Sequence, residues 1–171
     1  MKHLLTLILC VTFVNATPAQ EATATSNKSI YYFIRHAEKD KSNKNNKNPN
    51  LLMEGVLRAA KWSLVFDHIK FDAVYSTDYT RTRDTAKPTA EKNGLDLIIY
   101  APQETDVQTF LEITKGQTVL VVGHSNTTPM FVNSILGTEK YQNMNDSQHA
   151  NLYIVTITSS GEITDTLLVV E

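Results

Sequence analysis

Ile30-Tyr31-Tyr32-Phe33-Ile34-Arg35-His36-Ala37-Glu38 is the stretch on which the reading of this chain turns. Its apolar and aromatic run is too short for a membrane helix and describes a central strand buried on both faces. The run stops abruptly in a cation and an imidazole. Open α/β sheets bind ligands beyond the carboxyl ends of their strands, so Arg35 and His36 stand where a site is expected.

Two further strand ends point the same way. Asp72-Ala73-Val74-Tyr75 ends in Ser76-Thr77 and leads into a helix bearing Arg81 and Arg83. Thr118-Val119-Leu120-Val121-Val122, a second near-continuous apolar run, closes in Gly123-His124-Ser125-Asn126. Around these strands the spacing predicts a helix over about Leu52–Phe66, capped from Asn50 or a neighbour, and another up to about Lys92, capped from Thr77 or Asp78 and stopped by Asn93-Gly94. A strand over Leu95–Tyr100, a helix over Glu104–Thr114 and a helix over Thr127–Leu136, with Pro129 near its start, complete the alternation. Asn151–Thr158 and Glu162–Val170 read as an antiparallel hairpin turned by Ser159-Ser160-Gly161. The order predicts an α/β protein: a three-layer α/β/α sandwich with a mostly parallel central sheet and an antiparallel edge. Lys39 to Asn50, nearly all Lys, Asn, Ser and Asp, reads as a solvated loop.

The 171 residues allow one domain behind a short leader. Met1-Lys2-His3 is a basic start, Leu4 to Val14 a short apolar core, and Ala16 and Ala19 offer small-residue exits. Residues 1–19 are therefore read as a signal peptide cut after Ala16 or Ala19, residues 20–29 as a polar spacer and 30–171 as the domain. The expected location is periplasmic or secreted, with no stable membrane anchor, because bulky Leu9 before Cys10 argues against a lipid-anchored cysteine. Cys10 is the one cysteine, so the mature chain would hold no thiol for a disulfide, a nucleophile or a thiolate metal site. A net charge of -2 gives no reason to expect nucleic acid as a partner. Anion binding must come from locally placed Arg and His.

In a parallel sheet the carboxyl ends share one edge, so Arg35, His36, Arg81 and His124 can converge. Two guanidiniums and two imidazoles around one point describe a phosphate site, since Arg forks match phosphate oxygens. Backbone N–H groups at Ser125 and Asn126, where a helix begins, would add to it.

Arg35-His36-Ala37-Glu38-Lys39, then Leu51 to Arg58-Ala59 with Gly55, Tyr75-Ser76-Thr77 to Arg81-Thr82, and Gly123-His124-Ser125-Asn126-Thr127 resemble in order the signatures of the histidine phosphatase superfamily. This is the phosphoglycerate mutase-like clan, and the likeness is nearest its small SixA-type branch. The resemblance implies a phosphoglycerate mutase-like fold and an acid phosphatase or phosphohydrolase working without cofactor or metal on a small phosphorylated substrate. It implies His36 as nucleophile carrying a phosphohistidine, with Arg35, Arg81 and His124 holding the phosphoryl oxygens. For the general acid it suggests Glu104, with Asp106 and Glu38 as the other choices. The chain departs from the pattern at Leu52-Met53, where Ser or Thr is usual before Glu54-Gly55, and it has no long insertion between Thr85 and Gly123 to form a lid.

Three other readings stand beside this one. A non-catalytic phospho-ligand binder would keep the pocket and lose turnover. A phosphomutase would need a closing element that the short chain lacks. An esterase elbow at Gly123-His124-Ser125 would make Ser125 the nucleophile, but its final Gly is missing and Arg35, His36 and Arg81 go unexplained. The leader argues against a cytosolic phosphorelay protein as substrate.

Overall fold

The computed structural model describes residues 28–171. The signal peptide and most of the polar spacer read above lie outside the described residues. Six strands and four helices alternate as expected. They are β1 (Ser29–Arg35), α1 (Met53–Val65), β2 (Ala73–Ser76), α2 (Thr80–Asn93), β3 (Leu97–Ile99), α3 (Val107–Ile113), β4 (Thr118–Gly123), α4 (Thr127–Leu136), β5 (Asn151–Ile157) and β6 (Ile163–Val169).

One sheet runs β3-β2-β4-β1-β5-β6. The first four strands in that order are mutually parallel. β5 pairs antiparallel with β1 and β6 antiparallel with β5, so the hairpin forms the far edge. The register sets Arg35 opposite Gly123 and Ser76 opposite Val122, which brings three strand ends to one edge.

Period-two alternation sorts β1 and β4 between two cores. Tyr31, Phe33, Val119 and Val121 face Phe110 and Phe131 of α3 and α4. Ile34, Leu120 and Val122 face Trp62 of α1, Phe66 at its C-terminal cap and Ala86 of α2. These strands read as continuous apolar runs because both faces are covered.

The element ends show where local signals lose to tertiary ones. α1 is preceded by Leu52, with no side-chain cap, so Asn50 does not serve. The N-cap of α2 is Tyr79, again without a side-chain cap. Thr77 turns inward instead, and Asp78 pairs with Arg83. The free Thr80 N–H at the start of α2 is met from outside the helix, by Asn48 Oδ1 at 2.9 Å. α3 begins at Val107, later than expected, because the Asp106 carboxylate accepts from Thr109 N–H at 2.8 Å and sets the cap there.

The loop 39–50 is exposed yet tied at its base. Lys39 bridges Leu51, Asp40 N–H donates to Asn50 O at 2.9 Å, and Leu52 N–H donates to Glu38 O at 2.9 Å. Gly55 explains the closeness of α1 to this base. A Cβ there would lie 2.2 Å from the Glu38 carbonyl oxygen, so any side chain would displace the segment that follows His36.

Candidate active site

β1 ends by inserting Arg35 and His36, each only 3% exposed, under the rim of a cavity of about 330 Å³. His36 N–H continues the ladder to Gly123 O at 2.9 Å. Ala37 N–H, one residue on, donates to Thr85 Oγ1 of α2 at 2.9 Å. These bonds leave the His36 backbone little freedom. Its ring is oriented as tightly: Nδ1 lies 2.7 Å from Ala37 O. A carbonyl only accepts, so Nδ1 carries the hydrogen and Nε2 keeps its lone pair. Burial above all, with Arg35, Arg81 and His124 nearby, pushes the His36 imidazole down to about 2, although the Ala37 carbonyl favours the charged form.

His124, at the end of β4, stands with its ring 5.4 Å from that of His36. Its Nε2 is 2.9 Å from Thr77 Oγ1, whose own hydrogen goes to Thr82 Oγ1 at 2.9 Å. With Thr77 committed as donor to Thr82, His124 Nε2 donates to Thr77. Burial, then Arg81, Lys39 and Arg35, push this imidazole down to about 4. Thr128 Oγ1 can approach the backbone closely here because Gly123 has no Cβ, which would sit 2.7 Å from it.

The two guanidiniums are held differently. Arg35 Nη1 donates to the carbonyls of Asn145, Asp146 and Gln148 at 2.8, 3.2 and 3.1 Å. Its Nη2 meets Asp146 Oδ1 at 3.1 Å. Arg81 lies with its guanidinium carbon 4.3 Å above the Tyr79 ring and reaches only the Lys47 carbonyl, at 3.5 Å. Both Nε atoms are buried without a hydrogen-bond partner among the described residues. Orphaned charged donors cost free energy unless something accepts from them.

The expected residues Arg35, His36, Arg81, His124, Ser125 and Asn126 all line this cavity, and Thr127 begins α4 beside them. Glu104 does not join them. With Asp106 it lines a separate, more apolar groove beside β3 and α3. The reason is the late start of α3: Ala101 to Thr105 form a turn that presents Pro102 and Gln103 to the cavity and Glu104 away from it. Glu38 points elsewhere as well, paired with Arg58 at 2.7 Å. The one carboxylate on the cavity wall is Asp146, held by Arg35 and, at 2.6 Å, by Lys41, and pushed down to about 2 by those hydrogen bonds.

Sequence reasoning passed over four groups. Tyr79 stacks on Arg81 and meets His124 edge-on. Lys39 lines the cavity. Asp146 latches Arg35. Buried His149 donates from Nδ1 to His36 O at 2.9 Å. Lys39 could have been found from its place three residues past His36. Nothing local marks Asp146. Among the described residues no group of three His, Cys, Asp or Glu is placed to hold a metal ion, and no helix is long and apolar enough to cross a membrane.

Residues 31–102, which include Arg35, His36 and Arg81, match the histidine phosphatase superfamily (branch 1). This is a histidine phosphatase superfamily match. No curated protein matches the chain by sequence. Solved structures share the fold. A phosphoserine phosphatase from Entamoeba histolytica, in complex with 3-phosphoglyceric acid, superposes with TM-score 0.62 at 14% identity, covering 81% of this chain and 95% of that one. The mycobacterial glucosyl-3-phosphoglycerate phosphatase gives 0.65 at 13%, covering 84% and 98%. The protein histidine phosphatase SixA, complexed with tungstate, gives 0.63 at 15%, covering 82% and 96%. At these identities the likeness is one of fold.

Proposed function

We propose that the chain is an exported phosphatase that hydrolyses small phosphomonoesters through a phosphohistidine on His36. The observation that carries the reading is the pairing of a neutral imidazole, its Nε2 lone pair free, with the guanidinium-bearing residues Arg35 and Arg81 lining the same cavity. In the first step His36 Nε2 attacks phosphorus. The N–P bond forms, the bond from phosphorus to the ester oxygen breaks, and that oxygen leaves with the electron pair and takes up a proton. In the second step water attacks phosphorus, the N–P electrons return to Nε2 and inorganic phosphate leaves. Arg35, Arg81 and the first turn of α4 stabilise charge on the non-bridging oxygens through both steps. Donation from Nδ1 to Ala37 O supports the imidazole as it becomes positively charged.

Export is supported by the basic, apolar and small-residue succession of residues 1–19. N-terminal sequencing of the secreted chain tests it, with a start at residue 17 or 20 expected. A chain that keeps Met1 in the cytoplasm contradicts it.

A second reading, a phospho-ligand binder without turnover, is favoured by one observation: the only wall carboxylate is ion-paired and poorly protonated. Para-nitrophenyl phosphate separates the two. The enzyme releases nitrophenol and His36→Ala, still folded, does not. A binder retains phosphate and releases none.

A further inference from the structure

A leaving alkoxide needs a proton, and the cavity has no carboxyl group suited to giving one. Among its lining residues Lys39 is the cation that lacks a partner. Its ammonium takes part in no hydrogen bond or ion pair among the described residues, whereas neighbouring Lys41 is spent on Asp146. Its backbone is fixed by the bridge to Leu51 and the flanking bonds of Asp40 and Glu38, so the half-buried side chain starts from a rigid base. We propose that Lys39 is the proton donor to the leaving group, the role that Glu104, Asp106 and Glu38 are not placed to fill. This rests on the phosphatase reading above and deepens it.

The charge around the cavity fits. Arg35 is offset by Asp146, which leaves Arg81 and Lys39 as two uncompensated cations for a dianionic phosphoryl group. As the bond from phosphorus to the ester oxygen breaks, the electron pair stays on oxygen and a Lys39 Nζ–H proton transfers to it, releasing the alcohol. The neutral amine then takes a proton from the water that attacks the phosphohistidine, so the ammonium is restored when phosphate leaves. The groups facing Lys39 are Arg35 and His36 from β1, Arg81 and Tyr79 at α2, His124 from β4, Lys41 on its own loop and Asp146 opposite. Burial, then Arg81 and Arg35, lower the Lys39 pKa against the opposing pull of Asp146, which makes the ammonium a readier donor.

The test compares glycerol phosphate, whose alkoxide must be protonated, with para-nitrophenyl phosphate, whose phenolate leaves unaided. Lys39→Met is expected to cut kcat on glycerol phosphate by about 100-fold or more and on the aryl ester by about tenfold at most. Lys39→Arg keeps the charge but holds its proton too tightly to give it up. It should bind both esters with parental KM and still fail on glycerol phosphate. Equal losses on both esters, or alkyl turnover restored by Lys39→Arg, would overturn the proton-donor role. A parent chain that turns over neither ester and carries no phosphohistidine would overturn the phosphatase reading and this inference with it.

Discussion

The cavity has two walls of different origin. One comes from the carboxyl ends of β1, β2 and β4 and carries His36, Arg81 and His124 on rigid elements. The other comes from the irregular segment between α4 and β5, where Asn145 to His149 fold back over the sheet edge. The first wall supplies the reacting groups. The second supplies carbonyls and an imidazole that hold Arg35 and His36 from behind. Arg35 belongs to both walls and Arg81 only to the first, and that difference separates catalysis from stability.

The largest expected effect is on the first wall alone. His36→Ala should lower kcat by on the order of 10⁴-fold or more while leaving the melting temperature near that of the parent, read by steady-state kinetics and calorimetry. Next come the two arginines. Arg81→Ala should reduce kcat/KM by about 10²–10³-fold with little change in stability, since its guanidinium makes only one long hydrogen bond. Arg35→Ala should lose as much activity and also about 2–3 kcal/mol of stability in urea titration, because three carbonyls and Asp146 lose a charged donor. If both variants lose stability equally, the two walls are not distinct in this way.

Gly55→Ala should cost about 1–3 kcal/mol by forcing the Glu38 carbonyl aside, and it should slow turnover by moving the backbone after His36. The smallest effect belongs to Asp146→Asn. Its carboxylate is 68% exposed, so the loss is that of a surface pair, about 0.2–1 kcal/mol. The folded-state pKa of Asp146 is depressed, to about 2. Its contribution is therefore full above the ordinary carboxylate pKa and disappears as pH falls toward 2. The variant should match the parent in stability at pH 2 and fall below it at neutral pH.

His36 and His124 have the opposite acid–base character but the same pH trend. Both are held below the ordinary imidazole value, to about 2 and about 4. The unfolded chain takes up their protons first, so stability is lost as pH falls below about 6.5.

The two walls also differ in how far they were legible from sequence. β1 and β4 announce themselves as apolar runs covered on both faces, and the chemistry at their ends follows from parallel order alone. Arg81 is legible because α2 must start where β2 stops. Glu104 misled because the turn at residues 101–105 is set by Asp106 capping α3, a competition between neighbouring polar residues that periodicity does not resolve. Asp146 and His149 were illegible for a different reason. Their partners, Arg35 and His36, lie more than a hundred residues earlier, and no local spacing encodes such a contact.

The central claim is that His36 Nε2 forms a bond to phosphorus. Rapid mixing with para-nitrophenyl phosphate, an alkaline quench and peptide mass mapping measure it directly. The mechanism predicts one phosphoryl group on His36, attached at Nε2 and absent from His36→Ala. Steady turnover with no phosphorylated histidine, or a phosphoryl group on Ser125 instead, would contradict it.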